Sequence, residues 1–270
     1  MTTRLDHVTI AVRDVDAAID GYRRLLGVEP DLEPGGGAKR AWFRFPNMAL
    51  EVIGPDGAGA AGDRVRAWLD ANGEGIWILA FAAQDLDSVA RLAERRGLKV
   101  SERTPRAVLL DPAGLAGLQV LFFDGPAPPA KATGPIAGLD HVVVRTPNAD
   151  RAVANFGARL GLDLRLDRSN ESWGVRQLFF KAGDAVVEFG ASLKSPVSDG
   201  PDSFGGLAWR VPDPVAAQAA MAAAGFNVSE VRTGRKPGTH VFTVRDAPAG
   251  VPTLMLSAEP QTALAQEGAA

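Results

Sequence analysis

At 270 residues, 46% hydrophobic and 23% charged with a net charge of −3, the chain has room for two ordinary domains and no charge excess that would favour nucleic acid or an anionic membrane. It contains no cysteine, which excludes disulfides, thiolate zinc sites and a cysteine nucleophile, so any metal must be held by histidine nitrogen and carboxylate oxygen. MTTRLDHV enters a strand without a basic and apolar leader, and no apolar run reaches membrane-spanning length, so the expectation is a cytoplasmic protein.

From Leu5 to Val12 the residues alternate, with Leu5, His7, Thr9 and Ala11 on one face of a strand and Val8, Ile10 and Val12 on the other. The amphipathic helix that follows places Ala17, Ala18, Tyr22, Leu25 and Leu26 on one stripe and stops at Gly27. That stripe suits the Val8 face, which leaves His7 on the open one. Glu33 to Lys39, with three consecutive glycines, reads as a mobile loop. Arg40 to Phe45 and Met48 to Ile53 read as a strand pair turned at Pro46-Asn47, with Glu51 alone in an apolar run. A glycine-rich joint, Gly54 to Gly62, leads to a short helix over Asp63 to Ala71.

A second unit of the same plan begins at Ile76, with strand IWILAFAA, helix LDSVARLAERRG and strands near Ala107 to Leu110 and Leu118 to Phe123. The segment DGPAPPAKATGP, Asp124 to Pro135, has the composition of an interdomain linker. Beyond it LDHVVVRTPNADRAVANFGARLG, Leu139 to Gly161, repeats LDHVTIAVRDVDAAIDGYRRLLG, Leu5 to Gly27. LFFKAGDAVVEFG likewise repeats WFRFPNMALEVIG, so His141 and Glu188 hold the places of His7 and Glu51. A fourth unit runs from Phe204 through GLAWRV, PVAAQAAMAAAG, HVFTVRD and PTLMLSA. The expected architecture is α+β, four βαβββ modules in two domains: residues 1–125, a linker at 126–136, residues 137–258 and a tail at 259–270.

The LDHV strands, the helices ending GYRRLLG and NFGARLG, the lone glutamate of a fourth strand and the DPAG turn at Asp111 to Gly114 resemble the vicinal oxygen chelate, or glyoxalase-like, superfamily. The resemblance covers Leu5 to Ser257 and implies cup-shaped mixed sheets. It also implies a divalent metal (Zn, Ni, Mn, Co or Fe) held by a first-strand His and a fourth-strand Glu from paired modules. Carried over, the ligands are His7, Glu51, His141 and Glu188, with Glu188 or Glu51 also the catalytic base. The second and fourth modules depart from the pattern, with Ile78 and Gly206 in first strands and Leu121 and Met255 in last strands. Either the first and third modules face each other and form one four-ligand site, which is the expectation, or each domain keeps half a site.

A carboxylate buried in an apolar strand needs a partner or a metal, which favours function for Glu51 and Glu188 over inheritance by duplication alone. Trp77, Trp209, Arg210 and His240 are weaker candidates for contacting a substrate, each equally explained by packing or solvent. RTPR and RTGR, Arg103 to Arg106 and Arg232 to Arg235, repeat at matching places; paired arginines could bind a carboxylate or phosphate, but solvated loop arginines are the favoured reading.

The implied activity is a metal-dependent glyoxalase-like lyase or isomerase acting on a small substrate with vicinal oxygens through an enediolate. The alternatives are a non-catalytic protein that binds and sequesters a small molecule, or an extradiol ring-cleaving dioxygenase, for which three histidines and one tyrosine are a poor supply. The partner expected is a small molecule, with no nucleic acid and no membrane, and a monomer or homodimer is expected.

Overall fold

A computed structural model describes residues 4–125, 134–235 and 237–258. The first half runs β1 (Leu5–Ala11), α1 (Val15–Leu26), β2 (Asp31–Gly35), β3 (Ala38–Arg44), β4 (Ala49–Pro55), α2 (Ala60–Asn72), β5 (Gly75–Ala82), α3 (Leu86–Arg95), β6 (Val100–Thr104), β7 (Ala107–Leu110) and β8 (Gln119–Phe123). The second half runs β9 (Gly138–Arg145), α4 (Ala149–Ala152), β10 (Asp163–Asn170), β11 (Val175–Ala182), β12 (Ala185–Ser192), β13 (Ser203–Arg210), α5 (Pro214–Ala223), β14 (Arg232–Thr233), β15 (Thr239–Val244) and β16 (Thr253–Ala258).

Each half is one eight-stranded mixed sheet, ordered β2-β3-β4-β1-β5-β8-β7-β6 and β10-β11-β12-β9-β13-β16-β15-β14. The α+β class and the four-module plan follow the sequence repeat. Residues 126–133 of the expected linker and the tail at 259–270 lie outside the described residues.

Local chemistry explains the elements. Asp14 caps α1 by accepting from the Ala17 N–H, and Gly27 ends it with φ of 66°, a left-handed turn that glycine enters without a Cβ clash. In the third module α4 widens into π-type turns over Val153–Arg159, where the Leu160 N–H reaches the Asn155 carbonyl at 2.9 Å. The apolar backs of both sheets share one core with the helices, Val8, Ile10 and Tyr22 in the same cluster as Val142, Val144 and Phe156. Phe45 of the first half packs at a tilt against Trp209 of the second, ring centroids 4.9 Å apart. The Asn47 amide both donates to and accepts from the Leu139 backbone at 2.7 and 3.1 Å.

Two features differ from the sequence reading. The expected mobile loop at Glu33 to Lys39 is instead a hairpin, β2 paired with β3 and turned at Gly36 and Gly37. Its glycines serve contact with α2: the Gly36 carbonyl accepts from the Ala61 and Gly62 N–H groups, and a Cβ on Gly62 would overlap the Gly37 carbonyl. The second difference is the seat of α2. Val65 and Leu69 pack with Ala11, Ala38 and Ile53 on the open face of the first sheet, so α2 fills part of that cup. Between β12 and β13 the second half has irregular chain and no such helix.

Candidate functional site

The pairing of β9 with β12 is parallel and sets Glu188 beside Val143, so His141 and Glu188 share the face opposite the core. Glu188 Oε2 lies 3.3 Å from His141 Nε2, and each side chain is 14% exposed. The other ring nitrogen of His141 is 2.8 Å from Asp140 Oδ1. Arg210 Nε donates to Asp140 Oδ2 at 3.0 Å and its Nη1 to Asp184 at 2.7 Å. Burial opposes ionisation of Asp140, but hydrogen bonds from His141 and Arg210 outweigh it and hold the carboxyl below its ordinary 3.8. Gln177 Nε2 donates to the remaining Glu188 oxygen at 2.8 Å. A neutral imidazole can donate to one carboxylate only, and His141 stands between two, Asp140 and Glu188.

The equivalent pair in the first sheet is closed. Parallel β1 and β4 place Glu51 beside Thr9 and on the His7 face. Thr9 Oγ1 donates to Glu51 Oε2 at 2.6 Å, and Arg40 Nε lies 3.1 Å from Oε1. His7 Nε2 is 4.0 Å away, its ring held edge-on by Trp42 and Phe123 at 5.1 and 5.5 Å. His7 is 2% and Glu51 6% exposed. Beside them, between α2 and the sheet, lies a cleft of about 480 Å³ lined by Arg40, Glu51, Trp68, Trp77, Ile78 and Leu121.

The expected four-ligand site is not assembled. His7 with Glu51 and His141 with Glu188 belong to separate sheets, and no group of three His, Asp or Glu side chains among the described residues could hold a metal. The first and third modules therefore do not face each other across one cup, because each pairs along a continuous sheet with its own neighbour: β1 with β5 and β9 with β13. Those neighbours set Ala80 opposite His7 and Ala208 opposite His141, while Ile78 and Gly206, at the ligand positions of their modules, stand opposite Thr9 and Val143. Register puts Leu121 beside Ala80 and Leu254 beside Ala208, so Leu254 and not Met255 holds the fourth module's last-strand position. In the first cup Arg40 already supplies the cation for Glu51. In the second, His141 and Glu188 are two protein ligands where open catalytic sites keep three. Neither donor set fits a metal held by this chain alone.

The weaker candidates separate as well. Trp77 lies in the first cleft, stacked on Trp68 at 5.4 Å, because a bulge between Thr9 and Ile10 in the β1–β5 pairing turns it towards the cup with Ile78. Trp209 is fully buried against Phe45 in the core and is not a cup residue. Arg210 is bound to Asp140 and Asp184 and orients the dyad from behind. His240 shares the face of β15 that carries buried Phe242, away from the cup. Sequence reasoning did not single out Arg40 or Gln177, which stand at the same register position, two residues beyond the glutamate's partner strand site. Comparing the aligned strands β3 and β11 residue by residue would have found them.

The model of the Glyoxalase/Bleomycin resistance protein/Dioxygenase superfamily matches residues 6–112 and again 140–243. The chain belongs to that superfamily. An ethylmalonyl-CoA/methylmalonyl-CoA epimerase from Cereibacter sphaeroides is 32% identical over 104 residues, 37% of this chain and 75% of the epimerase. Among solved structures, a mutant 4-hydroxymandelate synthase from Streptomyces coelicolor superposes with a TM-score of 0.74 over 96% of this chain and 94% of its own, at 17% identity. A xylose isomerase-like TIM barrel/4-hydroxyphenylpyruvate dioxygenase fusion protein gives 0.70 over 97% of this chain and 50% of its own, at 13% identity. Both likenesses speak to the tandem fold. Superfamily membership admits isomerase, lyase and oxygenase chemistry alike. No helix among the described residues is long and apolar enough to cross a membrane.

Proposed function

We propose that the second domain is a proton-transfer site of the isomerase or epimerase kind, acting at a carbon next to a carbonyl of a small oxygen-rich substrate. The observation that supports it is the Asp140–His141–Glu188 chain, in which a partly open carboxylate sits 3.3 Å from an imidazole whose far side is fixed by a second carboxylate. Glu188 takes the proton from carbon. His141, oriented by Asp140, stabilises the negative charge that grows on the substrate oxygen. Gln177 holds the second Glu188 oxygen and so fixes which one faces the substrate. No step is assigned to a metal, since the donor set does not fit one.

The likeness to an acyl-CoA epimerase makes ethylmalonyl-CoA and methylmalonyl-CoA the first substrates to test. In D₂O, proton NMR should show the α-proton of one of them, or of another 2-substituted acyl compound, exchanging with solvent in the presence of the protein. Absence of exchange across such a panel of thioesters, 2-hydroxy ketones and 2-oxoaldehydes would refute the assignment. A second reading, small-molecule binding without catalysis, is favoured for the first cup by its cleft between α2 and the sheet, where Trp68 and Trp77 supply apolar surface and Glu51 is already neutralised.

A further inference from the structure

β10 and β14 are the two outer edges of the second sheet, as far apart in strand order as the sheet allows. Yet Arg235, in the turn after β14, lays its guanidinium over the ring of Trp173, in the turn after β10, 4.7 Å from the ring centroid. The sheet therefore curls until its edges meet across the cup. Arg168 of β10 approaches the same indole at 5.7 Å and also donates to Gln177 Oε1 at 3.4 Å, and Gln177 binds Glu188. Arg168 stands directly opposite Gln177 in the β10–β11 pairing, so both face the cup. A continuous line of contacts thus joins the rim to the dyad.

Both arginines are exposed, and among the described residues neither has a carboxylate partner. Asp167, the acidic neighbour of Arg168, is taken by Arg176 at 2.7 Å. Two guanidinium groups against one indole repel each other, and their unused N–H edges suit an oxyanion placed between them. The first domain lacks this arrangement. Its Arg103 pairs with Asp87, Arg106 lies over Phe123 at 4.9 Å, and α2 covers the cup.

We infer that the second cup takes a substrate bearing an oxyanion, carboxylate or phosphoryl, gripped at the rim by Arg168 and Arg235 beside Trp173 while its carbonyl end reaches His141 and Glu188. The direction of that reach rests on the proton-transfer reading; the anion grip itself does not. The test follows the Trp173 indole N–H resonance, assigned with Trp173→Phe, during titration with malonate, inorganic phosphate and the neutral analogue malonamide.

Malonate, phosphate or both should shift it saturably, and whichever does so names the oxyanion, while malonamide leaves it unmoved. The Arg168→Gln/Arg235→Gln variant, checked for an unchanged melting temperature, should weaken the anion roughly tenfold or more, and Arg235→Lys should lose less. Equal anion affinity in the double glutamine variant, or a response to malonamide matching that to malonate, overturns the inference. Glu188→Gln separates the two claims: retained anion binding with lost α-proton exchange supports both. Anion binding without exchange in any variant, wild type included, leaves the clasp and removes the proton-transfer reading. Exchange with an unchanged KM in the arginine variant removes the clasp alone.

Discussion

Arg40 Nε lies 3.1 Å from Glu51 Oε1, so the carboxylate of the first His–Glu pair already has its cation. At the same register position of the second sheet stands Gln177, which brings a hydrogen bond but no charge. Arg40 in place of Gln177, together with Thr9 in place of Val143, separates a closed ion pair from an open dyad.

Removing Arg40 should strand Glu51 in a site where it is 6% exposed. Arg40→Gln is expected to cost about 2–4 kcal/mol in denaturant unfolding, whereas Arg40→Met combined with Glu51→Leu costs less than the single change. A single variant no worse than the double would show that the pair does not stabilise this cup.

Asp140 gives stability a pH dependence of definite sign. Its folded carboxyl is held below 3.8, so the unfolded chain binds the proton first as pH falls. The stabilisation is complete above the unfolded value and is lost as pH drops through the lowered folded one. Unfolding free energies measured below about pH 4 should rise with pH in the wild type, and Asp140→Asn should flatten part of that slope. An unchanged slope in the variant contradicts the role given to Arg210 and His141.

Trp209, fully buried against Phe45, joins the two halves. Trp209→Ala should cost about 3–5 kcal/mol and broaden or split a single unfolding transition. A loss below about 1 kcal/mol would mean that the halves do not depend on this contact.

Metal content follows from the donor sets. With one His and one Glu per cup, protein purified without chelator or affinity metal should carry well below one ion per chain. A stoichiometric ion that disappears in His141→Ala would reinstate a metal centre at the second dyad.

The repeat made the fold legible. Alternation in LDHVTIAV and LDHVVVRT set His7 and His141 opposite the apolar face, and the glycines ending both helices marked the modules. The pairing of cups was not legible, because strand repeats do not say which modules share a sheet; only the β1–β5 and β9–β13 pairings decide it. Arg40, Gln177 and Trp68 escaped notice because their roles come from cross-strand register and from the docking of α2, neither of which leaves a local pattern. Trp209 was left open between core and cup for a different reason. Strand parity alone cannot tell which face meets helices until the other half of the molecule supplies Phe45.

The most direct test compares Glu188→Gln with Glu51→Gln in solvent deuterium exchange at the α-carbon of whichever acyl substrate the wild type turns over. The account predicts that Glu188→Gln slows exchange by about 10²-fold or more, while Glu51→Gln leaves it near wild type, since Glu51 is already engaged by Arg40 and Thr9. Exchange lost in Glu51→Gln and kept in Glu188→Gln would place the chemistry in the first cup and contradict the account.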